Sequence, residues 1–174
     1  MQALIDFIVK NLLAIWPVTR IDQWEHGLVV RGGHIQRTLG VGLHWRWPFV
    51  DVVKKWPANL IALDLPAASV TTRDGKSVAV SANLGYRVTS ISLMWLNLWN
   101  SENTLAKITV GELASYCAGE DWAHLASERR KVETEIVQRL NERCSDWGIL
   151  IESVRLTDLV ATRGHRHYVD GMAR

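Results

Sequence analysis

Few residues of this chain stand at spacings that chemistry would need. His165-Arg166-His167 sets two imidazoles at an HxH spacing that could hold a metal ion weakly, but the pair stands alone on a polar tail. Cys117 and Cys144 form no CxxC pair and flank no histidine at ligand spacing. They read as reduced thiols, at least one of them packed, since a secreted disulfide scaffold carries more cysteines in a shorter chain. The sequence has no GxSxG nucleophile elbow, no HExxH zinc helix and no GxxxxGK[ST] phosphate loop. Gly40-Val41-Gly42 lacks the third glycine and following helix of a dinucleotide site, so it reads as a turn. Arg73-Asp74-Gly75-Lys76 is most economically a β-turn with Asp74 and Gly75 as its tight residues. No catalytic residue, metal or cofactor is expected, and the enzyme class is the weakest reading.

The remaining signals belong to surfaces. Nine tryptophans among 174 residues are many, and the stretch His44-Trp45-Arg46-Trp47-Pro48-Phe49 brings two of them beside a phenylalanine and an arginine. In extended geometry Trp45, Trp47 and Phe49 share one face, with His44 and Arg46 on the other. Two readings stand open: the aromatics cap a core, or they dip into a bilayer while Arg46 meets lipid phosphates. Residues 1–18 carry a second such signal. On a helical wheel Leu4, Ile5, Ile8, Val9, Leu12, Ile15 and Trp16 form one broad apolar arc, with Asp6 and Lys10 opposite. Pro17 ends the helix. About 15 residues give about 22 Å, short of a hydrocarbon core of about 30 Å, so the segment can lie on a membrane without crossing it. It is either an interfacial anchor, with Trp16 at headgroup level, or a helix packed on its own domain.

The elements that position these residues follow from periodicity. Residues 21–65 read as short strands joined by tight turns, with a hairpin at Gly32-Gly33, a loop from Gly40 to Phe49 and a strand from Asn59 to Leu65. After the turn at residues 73–76, Val78, Val80, Ala82, Leu84, Tyr86 and Val88 alternate with polar residues, a half-buried strand. Residues 90–119 read as helical with a break near Gly119. Residues 121–146 form one helix with an apolar stripe of Leu125, Val132, Ile136, Leu140 and Cys144, ended by Gly148. Its wet face offers i,i+4 pairs Arg129–Glu133, Lys131–Glu135 and Glu135–Arg139. Ile149 to Leu156 is a last alternating strand, and 161–174 a polar, basic tail. Length fits one domain, 19–160, flanked by the helix 1–18 and that tail. A net charge of +2, and basic residues interleaved with acids, give no nucleic-acid surface. No apolar run reaches the roughly 18–20 residues of a membrane span, and no signal peptide is visible, so a cytoplasmic location is expected.

In order and spacing the motifs resemble a known family. They are the apolar N-terminal segment, Gly27-Leu28-Val29-Val30-Arg31-Gly32-Gly33, Arg37, residues 42–51, Val70 to Val78 leading to Tyr86-Arg87-Val88, and Trp147-Gly148-Ile149 before Glu152 to Leu159. The pattern, across roughly residues 20–160, resembles the SPFH or band 7 family of stomatins, prohibitins, flotillins and bacterial modulators of a membrane protease. The resemblance implies an α+β domain with a curved, mostly antiparallel sheet and flanking helices. It places the Trp45–Phe49 loop near the membrane, which makes Trp45, Arg46, Trp47 and Phe49, with the N-terminal arc, the candidate membrane-binding residues. It also implies lateral assembly into rings or cages, for which Arg129, Lys131, Glu133, Glu135 and Arg139 are the candidate contacts. Family members usually continue into a long coiled coil, and this sequence stops about 15 residues past the matched region, which puts a closed tall cage in doubt and leaves a flat ring, an arc or a small oligomer open. The expected partners are copies of the chain, a lipid bilayer on its cytoplasmic face, and a membrane protease or other membrane protein. Three functions stay open: a membrane-organising scaffold, a regulator of a membrane protease or channel, and a structural subunit of a virion or cage.

Overall fold

Alternating and 3.6-residue patterns are realised in turn along the chain. The computed structural model describes residues 17–162. The expected anchor with Leu4, Ile5, Ile8, Leu12, Ile15 and Trp16, and the tail carrying His165 and His167, lie outside the described residues. The strands are β1 (Val18–Ile21), β2 (Glu25–Arg31), β3 (His34–Leu39), β4 (Gly42–Trp45), β5 (Asp51–Pro57), β6 (Ile61–Asp64), β7 (Ala68–Thr71) and β8 (Ser77–Val88). Helices α1 (Ile91–Asn97), α2 (Ser101–Gly119), α3 (Trp122–Ser127) and α4 (Arg129–Cys144) follow, then a short 3-10 turn (Ser145–Trp147) and β9 (Ile149–Thr162). The α+β class holds, with antiparallel pairing of β1 with β4, β2 with β3 and β5, and β7 with β8. Strand β9 also pairs with β8.

The described chain forms two compact units. The first holds the described residues up to Ile61, Gly85–Ser101 and Asn141–Glu152; the second holds Ala62–Leu84, Glu102–Leu140 and the described residues from Ser153 onward. In the first, the β2–β3 hairpin turns on Gly32 and Gly33 at φ 56° and 83°, the primed geometry that matches the strand twist. Ile21, Val29 and Leu39 are buried together with Val53 against them. Helix α1 packs on β2 and β3 and buries Ile91 and Met94. In the second, Thr72 accepts the Lys76 N–H through its hydroxyl and closes the turn, and Arg73 forks onto Asp121 at 3.0 and 2.6 Å.

The strand signal of β8 holds, with Val78, Val80, Ala82, Leu84, Tyr86 and Val88 all buried. The stripe Leu125, Val132, Ile136, Leu140 and Cys144 is likewise buried. The single helix expected over 121–146 is instead two, parted at Glu128 (φ −115°, ψ 40°). Just before the break the Ser127 hydroxyl donates to the carbonyls of Ala123 and His124. Residues 90–119 carry a second interruption, because Leu98 is extended and Asn100 takes φ 53°. Part of the expected aromatic loop is strand β4, and β9 runs to Thr162, six residues past Leu156. The buried residues of β9 also change parity, from Ile149 and Ile151 to Val154 and Leu156, so its alternation slips by one residue.

Candidate functional site

The aromatic edge grows out of a short ladder. Strand β4 pairs with β1 so that Trp45 stands opposite Val18, and the Arg46 N–H donates to the Pro17 carbonyl at 2.7 Å. The chain then turns through residues 47–50 under the control of Asp51. The Asp51 N–H donates to the Trp47 carbonyl at 3.0 Å, and the Asp51 carboxylate accepts the Trp47 N–H at 2.9 Å. The same carboxylate takes the Arg31 guanidinium as a fork, at 2.7 and 3.2 Å, across the β2–β5 register. The Arg31 guanidinium first, and the Trp47 N–H second, hold the Asp51 carboxyl below the ordinary carboxylate range. One buried acid therefore fixes both ends of the turn.

That scaffolding leaves the aromatics outside. Trp45, Trp47 and Phe49 are 58%, 61% and 86% exposed, and Leu43 is 72% exposed beside them. None of these four side chains belongs to the buried core of the described residues. Trp45 and Trp47 line one cavity of about 310 Å3 with Val29, Arg31, Gln36, Arg37 and Asp51. Arg37 reaches over from β3 and donates to the Trp45 carbonyl. Phe49 lies at φ 69°, a left-handed turn residue, so its direction is not set by strand alternation. Arg46 is half-buried.

A second exposed apolar group escaped the sequence reading. Trp95 (43%), Leu96 (69%) and Trp99 (94%) project from α1 and the link after it. The Lys54 ammonium sits 5.5 Å from the Trp95 ring centre, a cation–π contact. The available signal was Leu93-Met94-Trp95-Leu96-Asn97-Leu98-Trp99, an apolar run too long for a seven-residue helix to bury on one face.

The charged helix α4 has its own partners. Arg129 donates to the Leu156 carbonyl at 3.2 Å, and the Leu156 N–H donates to Glu133 at 2.9 Å. Arg139 stacks 5.1 Å over the Tyr116 ring. Burial first and Glu135 second push the Tyr116 hydroxyl up to about 12. Lys131 pairs with Glu128 at 3.3 Å. The i,i+4 pairs expected along this helix are thus replaced by contacts to β9, α2 and the residue before the helix. Among the described residues no cluster of His, Cys, Asp and Glu could hold a metal, and no helix is long and apolar enough to cross a membrane.

Comparison with known proteins adds the family. The model of the SPFH domain / Band 7 family matches residues 19–168. Stomatin of Mus musculus is 25% identical over 155 residues, which cover 87% of this chain and 55% of that protein. Podocin of Homo sapiens is 23% identical over 168 residues, 95% of this chain and 44% of podocin. Mechanosensory protein 2 of Caenorhabditis elegans is 19% identical over 158 residues, 90% of this chain and 33% of that protein. The chain thus spans about half the length, or less, of these three relatives.

Proposed function

This chain belongs to the SPFH domain / Band 7 family, and from that premise we propose that it is a stomatin-like scaffold subunit that rests on a bilayer through its aromatic edge and assembles laterally with its own copies. The observation that carries the reading is the outward placement of Trp45, Trp47 and Phe49 on a turn that Asp51 and Arg31 hold rigid. Indole rings suit the headgroup level, where one end is apolar and the other wet. A folded chain rarely leaves a contiguous apolar group of this kind without a partner. The amphipathic arc of residues 1–18 is the second attachment in this reading, and attachment is peripheral, on the cytoplasmic face. Lateral contacts run along the outer face of α4. Of the five residues first singled out there, Lys131 has most to offer a neighbour, because Arg129, Glu133, Glu135 and Arg139 are bonded to β9 or α2, whereas Lys131 is held by the exposed Glu128, a pair worth little to break. Assembly into a ring or arc, organising membrane or a membrane protein such as a protease, is the function that follows.

Flotation with liposomes tests the attachment. Trp45→Ala with Trp47→Ala should weaken binding about thirty-fold, taking about 1 kcal/mol of burial for each indole. Melting should barely change, since both side chains are already more than half exposed. Unchanged flotation of the double variant would sink the membrane reading.

A further inference from the structure

We propose that the cavity between β3, β4 and the turn before β5 binds a single phosphate group carrying one negative charge, the phosphodiester of an anionic lipid headgroup that has no ammonium of its own to compensate it. The proposal rests on the membrane reading above and deepens it. Three charged side chains line the cavity: Arg31, Arg37 and Asp51. Asp51 neutralises Arg31 through the fork, with 2% of the carboxylate side chain exposed. Arg37 has a different partner, the neutral carbonyl of Trp45. It lies close enough to Asp51 to act on its carboxyl through space. The cavity therefore holds a net charge of one positive unit, which a phosphodiester cancels and a doubly charged phosphomonoester overshoots.

The donors are also suitable. A guanidinium carries five N–H groups in a fixed fork, and Arg37 commits one nitrogen to Trp45, which leaves the rest for two oxygens of an anion. Arg37 is exposed and the Arg31 side chain is 40% exposed, so both can be reached from outside. Gln36 adds a neutral donor to the lining. Trp45 and Trp47 form the apolar wall, and rings that sit at the headgroup level hold the guanidinium at the depth of the phosphates. At about 310 Å3 the cavity is at the small end of ligand sites, sized for a headgroup and not for an acyl chain.

The experiment compares flotation of the full chain on phosphatidylcholine vesicles with flotation on vesicles in which part of that lipid is replaced by phosphatidylglycerol. The wild type should gain from the anionic lipid, and Arg37→Gln should lose about five-fold of that gain, the worth of one basic residue at an anionic surface. Arg37→Lys separates a site from a diffuse field. It keeps the charge but cannot fork onto a phosphate while holding Trp45, so it should fall with Arg37→Gln; binding equal to wild type overturns the proposal. A soluble arm titrates inorganic phosphate, at a mildly acidic pH where it carries mostly one negative charge, against the indole N–H signals of Trp45 and Trp47. Shifts in the wild type that vanish in both variants, without any phosphatidylglycerol gain, uphold the site with free phosphate as its source. If the wild type binds neither vesicle, the membrane reading fails, and the indole shifts alone then decide the site. Absence of both the shifts and the gain overturns it.

Discussion

Gly148→Ala isolates the joint on which α1 depends. Gly148 follows the 3-10 turn at φ 65°, ψ 32°, in the left-handed region. Its carbonyl accepts two N–H groups from the residues leading into α1, Thr89 at 2.9 Å and Ser90 at 3.0 Å. A Cβ placed there would lie 2.5 Å from the Ser90 carbonyl oxygen, 2.8 Å from the Ser90 Cβ and 3.0 Å from the Leu93 Cβ. Two costs add. The left-handed backbone costs an alanine about 1–2 kcal/mol. The contact with a backbone oxygen forces the two segments apart and stretches two hydrogen bonds worth about 1 kcal/mol each. Together the loss is about 3–4 kcal/mol. Gly75→Ala supplies the control, because Gly75 also has positive φ (78°) but nothing within 4 Å of an added Cβ. It should show only the backbone cost, about 1–2 kcal/mol. Urea unfolding followed by tryptophan fluorescence gives both values from midpoints at equal slope. A Gly148→Ala loss no larger than that of Gly75→Ala would refute the close-approach argument and leave φ as the whole cause.

Three further outcomes follow from the same geometry. The Thr72 hydroxyl, followed by Lys76 and the Trp122 N–H, lowers the Asp74 carboxyl to about 2, so its contribution is complete above the ordinary value near 4 and is lost as pH falls through about 2. The urea midpoint should drop over that window, and Asp74→Asn should flatten the drop; an equally steep fall in the variant contradicts the assignment. Lys131→Glu with Arg130→Glu should dissociate membrane-extracted oligomers in mass photometry while circular dichroism stays native, as should high salt; an oligomer indifferent to both takes the outer face of α4 out of the interface. Cys117 and Cys144 are both buried, and burial pushes the Cys117 thiol up to about 11, so neither should react with a thiol reagent until denaturant is added.

The elements that the sequence made legible are those in which one residue pattern has one cause. The alternation of β8 and the stripe of α4 each record a single buried face, and both are buried as expected. Gly32-Gly33 likewise states its turn directly, because few other residue pairs take two positive φ values in succession. The break at Glu128 was hidden because neither Ser127 nor Glu128 is a helix breaker by type, and no glycine or proline stands there to announce it. At the aromatic edge the residue types were legible but their exposure was not. Whether Trp45 and Trp47 cap a core or face outward depends on Asp51, a residue whose distant partner Arg31 no local pattern announces.

The misread charges of α4 bear on how copies of this chain could meet. Spacing along the helix made Arg129 and Glu133 partners of each other, yet a strand lies beside them with backbone groups in need of bonds. Glu133 accepts the Leu156 N–H and Arg129 donates to the Leu156 carbonyl. Asn141 repeats the device at Ile151, accepting its N–H at 2.9 Å and donating to its carbonyl at 2.9 Å. A residue in a β-strand turns its N–H and C=O to the same edge, so at Ile151 and at Leu156 side chains of α4 stand where the next strand would pair. An open edge is the usual route by which one chain adds a strand to another. At these two positions of β9 that route is occupied from within. Displacing Glu133 or Asn141 would exchange one satisfied bond for another and gain little. In the proposed assembly, contacts between copies therefore fall on side-chain surfaces. Lys131 and Arg130 on α4 are exposed with nothing of β9 bonded to them, and they remain the sites at which charge reversal should separate the copies without unmaking the strand.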